Sequence, residues 1–275
     1  MALTITSTAA LRGGVQIPLL GLGVYQSRPG EETRRAVEAA LVVGYRHVDT
    51  ARAYGNERDV AEGIAASGVP RDEVFVTTKL WNSDQGYDET LRACDASLAR
   101  LGAGRVDLYL IHWPVQGLRN DTWRAMERLK RDGKARAIGV SNYTVRHLEE
   151  LLARANEPPS VNQVELHPFL QQRELVEFCR KSGIVVEAYA PLVKAQRMDH
   201  PVLRRLARKH QATPAQVLVR WALQLGYVVL PKSVQPERIR ENADVYRFEL
   251  DGEDLAAMKP LDEGYRTSWD PTDAP

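Results

Sequence analysis

The chain has 275 residues, 44% of them hydrophobic and 27% charged, close to globular averages of roughly 45–50% and 25%, which excludes disorder as its main state. Lys and Arg total 37 against 36 Asp and Glu, a net charge of +1, so bulk charge gives no reason to expect nucleic acid or an anionic membrane as partner. The apolar runs, such as Ile184–Val186, fall far short of the roughly 20 residues a membrane helix needs.

Taken in chain order, Met1–Thr8 lacks the basic stretch and apolar core of a signal peptide. Ala9–Leu11 and Val15–Ile17 flank Arg12-Gly13-Gly14, which predicts a hairpin. Short strands are predicted at Tyr45–Asp49, Val74–Lys79, Val106–His112, Ala137–Ser141, Val161–Leu166, Ile184–Tyr189 and Tyr227–Leu230, with a weaker eighth at Ala243–Tyr246. Several are nearly continuous apolar runs, as strands covered on both faces should be. Helical periodicity lies between them at Glu31–Val43, Asn56–Ala66, Asp88–Leu101, Asp121–Arg131, Thr144–Arg154, Arg173–Lys181 and Pro214–Leu225. Gly44, Gly68 and Gly102 follow three of them as stop signals. No stretch between them reads as a domain linker.

Strands alternating with helices imply a parallel sheet, either a closed barrel or an open doubly wound sheet. The open dinucleotide-binding sheet wants G-x-G-x-x-G after its first strand. Gly21-Leu22-Gly23 is the only candidate, and it has Gln26 at the third glycine and precedes the first strong strand. The expectation is therefore an α/β fold, a (β/α)8 TIM barrel over residues 1–275 as a single domain, with the hairpin capping the barrel bottom. Two cysteines, Cys94 and Cys179, make no disulfide framework and are expected to be buried thiols in a reducing, cytoplasmic compartment.

Barrel active sites collect at the C-terminal ends of the strands. There the sequence places Asp49, Lys79, His112, Ser141-Asn142, Tyr189 and Lys232-Ser233, with Gln163 inside the fifth strand and Tyr54 five residues after Asp49. Any one of these could be a solvated polar group, and Asp49 with Lys79 could be a structural ion pair. Six strands ending alike is harder to dismiss, and buried ion pairs are weak stabilisers. A free tyrosine titrates near 10, too high for easy proton donation. An ammonium beside it, backed by a carboxylate, is expected to lower that value. Tyr54, Lys79 and Asp49 can form such a chain, with His112 orienting a carbonyl oxygen. No nucleophile accompanies them, so a hydride donor is the natural complement.

Several ordered motifs resemble those of the aldo-keto reductases. They are Tyr45-Arg46-His47-Val48-Asp49-Thr50-Ala51 with Tyr54-Gly55-Asn56-Glu57; Thr78-Lys79-Leu80-Trp81; Leu108 to Pro114; Ile138 to Asn142; Asn162-Gln163-Val164-Glu165; and Pro231-Lys232-Ser233-Val234 to Glu241-Asn242. The resemblance runs from about Val15 to Leu261 and is strongest to the compact bacterial subgroup that includes 2,5-diketogluconate reductases. It implies that Tyr54 is the general acid, that Lys79 and Asp49 tune it, and that His112 orients the substrate carbonyl. It implies NADPH/NADP+ as cofactor. Gly23, Val24 and Leu192 would lie along it, Ser141, Asn142 and Gln163 would bind the carboxamide, and Tyr189 would stack on the nicotinamide. Lys232, Ser233, Val234 and Arg238 would take the 2′-phosphate end, with Glu241 and Asn242 at the adenine. Tyr25, Trp81 and Trp113 would wall the substrate pocket, and Arg266 and Trp269 lie in a tail that could close its mouth.

Tyr25 stands where many members of that family carry Trp, and Ala190-Pro191-Leu192-Val193 replaces a commoner Ser-Pro-Leu-Gly. The short Val115–Asn120 loop implies an open pocket and a small or polar carbonyl substrate. The partner is thus a small molecule, with no nucleic acid and no membrane, acting on a monomer. The alternative from another class is a non-catalytic nucleotide-binding barrel that regulates a partner. The complete tetrad argues against it, as does the lack of a long appended segment. A metal-dependent hydrolase is disfavoured because the six histidines, His47, His112, His147, His167, His200 and His210, show no H-x-H or H-E-x-x-H spacing.

Overall fold

The computed structural model describes residues 2–274. Met1 and Pro275, which the single-domain and signal-peptide expectations also took in, lie outside the described residues. The chain opens with an antiparallel hairpin, β1 (Thr8–Ala10) and β2 (Gln16–Pro18), in register Ala9 opposite Ile17. Gly13 and Gly14 take positive φ in the turn, where a side chain would be strained. Ile17 is fully buried. Arg12 donates to the Ser182 carbonyl in the loop entering a later strand, so the hairpin sits under the N-terminal ends of the barrel strands.

The barrel strands are β3 (Leu22–Gly23), β4 (His47–Asp49), β5 (Phe75–Leu80), β6 (Val106–Ile111), β7 (Ala135–Ser141), β8 (Val161–Glu165), β9 (Val185–Tyr189) and β10 (Val228–Leu230). All neighbours pair in parallel in chain order. A parallel bridge between Leu20 and Val229, with Gly21 N–H donating to the Val229 carbonyl at 2.9 Å, closes the circle. The helices among the described residues are α1 (Glu31–Val43), α2 (Glu57–Ala66), α3 (Tyr87–Arg100), α4 (Arg119–Arg131), α5 (Val145–Leu152), α6 (Arg173–Lys181), α7 (Pro201–Lys209), α8 (Pro214–Gln224), α9 (Pro236–Ala243) and α10 (Gly252–Met258). This is the expected (β/α)8 barrel.

The eighth strand is corrected. Ala243 ends α9, and Val245 is a buried loop residue whose carbonyl accepts from Arg220. The missing strand is Leu22–Gly23, at the other end of the sequence. The sequence offers Gly21-Leu22-Gly23 only as a rejected dinucleotide fingerprint, but closure needs Gly21: a Cβ there would lie 2.7 Å from His47 Nδ1 and from Leu230 Cδ2. Strand burial explains the apolar runs, since every residue of β5, β6 and β8 is buried. Each Val, Leu or Ile so buried is worth about 1.5–3 kcal/mol. Helix α8 buries Gln216 through Leu223, and its start is set by a Thr213–Gln216 capping box and Pro214. Cys94 and Cys179 are buried, unpaired thiols. No helix of the described residues is long and apolar enough to cross a membrane.

Candidate active site

One cavity of about 1420 Å³ opens at the C-terminal ends of the strands. At its inner end Asp49 closes β4, Lys79 projects from β5, and His112 follows β6. Tyr54 stands in a single helical turn, Arg52–Tyr54, after β4. Asn56 holds that turn in place, accepting from Thr50 Oγ1 at 2.8 Å and donating to the Val24 carbonyl at 3.1 Å. Lys79 is fully buried. Its Nζ donates to Asp49 Oδ1 at 2.6 Å, to the Thr50 carbonyl at 3.0 Å and to the Tyr54 hydroxyl at 3.2 Å. Tyr54 and His112 meet edge to face, with ring centroids 5.7 Å apart, and Trp81 packs on His112 at 5.2 Å.

Burial pulls Lys79 down, but Asp49 and Tyr54 outweigh it and hold the ammonium above the ordinary lysine value. Burial then decides Tyr54. It pushes the phenol up to about 12, while Lys79 pulls against it and Asp49 adds to it. The cation alone predicts a lowered value, and the desolvation of a buried phenolate reverses it. Tyr54 is thus a neutral phenol with an ammonium already placed to receive the charge of a phenolate. Burial, helped by Lys79, holds His112 well below the usual histidine range, so its imidazole is neutral and carries one N–H.

Beside this cluster, Ser141 Oγ donates to the Gln163 carbonyl at 2.8 Å, and Asn142 donates to the His112 carbonyl at 3.0 Å and to Ser141 Oγ at 3.1 Å. Tyr189 donates to Asn142 Oδ1 at 2.8 Å, which sets its ring along the wall. Gln163 Nε2 donates to Asp49 Oδ2 and to Glu187 Oε2, each at 2.8 Å. The donors of Ser141, Asn142 and Gln163 are therefore spent inside the protein, and the Gln163 oxygen, which accepts from no donor of the described residues, is left for a ligand amide.

The cavity runs outward past Leu192 to Lys232, Ser233, Val234 and Arg238, and then to Glu241 and Asn242 on α9. Lys232 and Arg238 are exposed. Glu241 accepts from Thr213 Oγ1 at 2.5 Å, which ties the start of α8 to this end. The substituted loop after β9 is strained: Ala190 and Val193 have φ of 49° and 53°. Glycine takes that backbone freely, whereas a residue with a side chain is disfavoured by about 1–2 kcal/mol. Val193 compensates by being fully buried.

Gly23, Tyr25, Trp81 and Trp113 line the cavity as expected. Two named residues do not. Lys79 works from behind Tyr54, and Val24 is a core residue only 1% exposed whose N–H donates to the Asp49 carbonyl at 3.0 Å; Val24 supports the wall without forming it. Thr267, Ser268 and Trp269 of the tail line the cavity at its mouth. Buried Glu165 accepts from Thr267 N at 2.7 Å, Thr267 Oγ1 at 2.5 Å and Ser268 N at 3.0 Å. Trp269 is thereby set on Trp113, centroids 4.8 Å apart, and Arg266 pairs with Asp270 at 3.2 Å. Lys194 Nζ donates to the Thr267 carbonyl at 2.5 Å, joining the loop after β9 to the tail. No sequence signal joins Thr267 and Ser268 to Glu165, because the contact spans about a hundred residues of chain. Among the described residues no three His, Cys, Asp or Glu side chains converge as a metal site.

Residues 19–263 match the profile of the Aldo/keto reductase family. The chain belongs to this family. It is 49% identical over 271 residues to the glyoxal reductase of Bacillus subtilis (strain 168), covering 98% of each chain. A crystal structure of a Gox0644 variant in complex with NADPH superposes with a TM-score of 0.93 at 44% identity, covering 98% of this chain and 99% of that one. The aldo-keto reductase of Bombyx mori in complex with NADP superposes with a TM-score of 0.90 at 35% identity, covering 96% and 95%.

Proposed function

We propose that this chain is an NADPH-dependent reductase of aldehydes and ketones, acting as a single-domain monomer in the cytoplasm. The observation that carries this reading is the Lys79 ammonium, 2.6 Å from Asp49 and 3.2 Å from the hydroxyl of Tyr54 on the cavity wall. A carbonyl oxygen seated between the Tyr54 hydroxyl and the neutral His112 imidazole accepts a hydrogen bond from each. As the carbonyl carbon gains hydride, the Tyr54 proton passes to the oxygen and gives the alcohol. Lys79 stabilises the phenolate left behind, and Asp49 keeps the lysine charged. Such general acid help is worth about 10²–10⁴ in rate.

The cavity of about 1420 Å³ exceeds the usual small-ligand range of about 300–1,000 Å³, enough for a dinucleotide together with a substrate. The cofactor supplies the hydride when bound. Gln163 and Asn142 would hold the carboxamide, Tyr189 the ring face, and Lys232, Ser233 and Arg238 the 2′-phosphate, where cations and directed donors suit a dianion. The buried unpaired thiols fit a reducing compartment, and the cavity is complete within one chain. Following NADPH oxidation over aldehydes, α-dicarbonyls, keto sugars and ketosteroids tests the reading. The similarity to a glyoxal reductase makes small α-dicarbonyls the first class to try. NADPH binding without turnover on any of them would favour the regulatory alternative.

Two expected outcomes follow from the ends of the cavity. Arg238→Ala weakens NADPH by roughly tenfold or more, the scale of one charge-assisted hydrogen bond, and leaves NADH nearly unchanged. Titration of both cofactors by fluorescence checks this, and equal losses would remove the 2′-phosphate role. Trp269→Ala opens the mouth and raises kcat/KM for bulky aromatic aldehydes relative to small α-dicarbonyls. Trp269 is 60% exposed, so the change in stability stays within about 0.5 kcal/mol. An unchanged ratio of the two substrate classes would show that the tail does not shape the pocket.

A further inference from the structure

Glu187 takes no part in the chemistry above, yet it lies at the floor of the barrel, fully buried, in the middle of β9. Its Oε2 accepts from Gln163 Nε2 at 2.8 Å, and the same nitrogen donates to Asp49 Oδ2 at 2.8 Å. Asp49 faces Lys79 at 2.6 Å and is an acceptor only, so the Gln163 atom turned towards it must be the nitrogen. A primary amide has two hydrogens, and this pair of carboxyl groups takes both. Gln163 lines the cavity, and with its nitrogen held inward its oxygen is the amide atom presented to a ligand. Glu187 Oε1 has no hydrogen-bond partner and stands 3.6 Å from His47 Nε2. An ionised carboxylate with one bare oxygen is a poor occupant of a dry site, whereas a neutral acid is tolerated. Burial and the charge of Asp49 push the Glu187 carboxyl up to about 8. Burial holds His47 down to about 3, so no cation on that side offsets a second negative charge.

We propose that Glu187 is a positioning residue for the cofactor: it takes one amide hydrogen of Gln163 while Asp49 takes the other, and so fixes the Gln163 oxygen outward as the acceptor for the nicotinamide carboxamide. This rests on the cofactor reading above. A leucine at this position removes the acceptor for one Gln163 hydrogen, and a threonine is too short to replace it, so the amide is held by Asp49 alone and its oxygen is less firmly aimed at the ligand. A glutamine keeps a neutral acceptor at the same reach.

The test compares Glu187→Gln, Glu187→Leu and Glu187→Thr with the wild-type protein by fluorescence titration. The probes are NADPH and adenosine 2′,5′-bisphosphate, which carries the phosphate end without the nicotinamide. Glu187→Leu and Glu187→Thr are expected to weaken NADPH by roughly five- to tenfold, the scale of one hydrogen bond, with the bisphosphate unchanged. Glu187→Gln should restore wild-type NADPH affinity. On a Gln163→Met background, Glu187→Leu should add nothing, because the amide it positions is gone. A wild-type Kd for NADPH in both Glu187→Leu and Glu187→Thr overturns the proposal. So does an equal loss for both probes, no rescue by Glu187→Gln, or a persisting effect on the Gln163→Met background. A wild-type protein that binds no NADPH overturns the cofactor reading and this inference together, whereas the other failures overturn the inference alone.

Discussion

Tyr54→Phe is expected to lose carbonyl reduction by about 10²–10⁴ in kcat, the range removed with a positioned general acid, while NADPH binds with its wild-type Kd. The ring of Tyr54 does the packing, against Tyr25 at 5.0 Å and under the Lys79 ammonium at 4.9 Å, and phenylalanine keeps both contacts. Lys79 keeps Asp49 and the Thr50 carbonyl as partners, so the variant should fold. What goes is one O–H. Because burial holds that hydroxyl up to about 12, it is protonated throughout the neutral range and is the proton source in the wild type. Turnover within a few fold of wild type would place the acid elsewhere, with His112 the next residue to examine.

Much of this was legible from short-range pattern. Seven of the eight barrel strands stand where apolar runs placed them, because parallel strands covered on both faces must be continuously apolar. Polar residues at their C-terminal ends stood out against that background, and this is why Asp49, Lys79 and His112 could be found before any geometry. Strand β3 escaped because it is two residues long and follows Gly21, where closure leaves no room for the side chain a strand pattern wants. Helices α7, α9 and α10 have no counterpart among the predicted elements. Glu187 was readable in principle: a carboxyl between Val186 and Ala188 in an otherwise apolar strand has nowhere to go but the barrel interior. Glu165 was quoted within a motif, but its role depends on Thr267 and Ser268 returning to it, and sequence spacing carries no trace of that. The value for Tyr54 went astray for a similar reason. The neighbouring charge can be named from a motif, whereas the depth of burial that opposes it comes only with the fold.

Lys79→Met should be the most damaging single change for fold and activity together. Methionine fills much of the lysine volume, but Asp49 is only 3% exposed and would retain one donor, Gln163 Nε2, for a charge previously neutralised at 2.6 Å. Removing one partner of a buried pair typically destabilises by about 3–5 kcal/mol, because the other charge is left uncompensated. Catalysis should fall at least as far as in Tyr54→Phe, since a phenolate would form with no cation beside it. The double variant Asp49→Asn/Lys79→Met separates the two effects. The asparagine is neutral and its oxygen still accepts from Gln163, so most of the lost stability should return in urea and thermal midpoints. Activity should not return. A double variant that turned over carbonyls normally would reduce the pair to scaffolding and sink its role in tuning Tyr54. A single variant with an unchanged midpoint would mean that the Asp49 carboxyl finds a proton or water at little cost, and that the pair is held for chemistry alone.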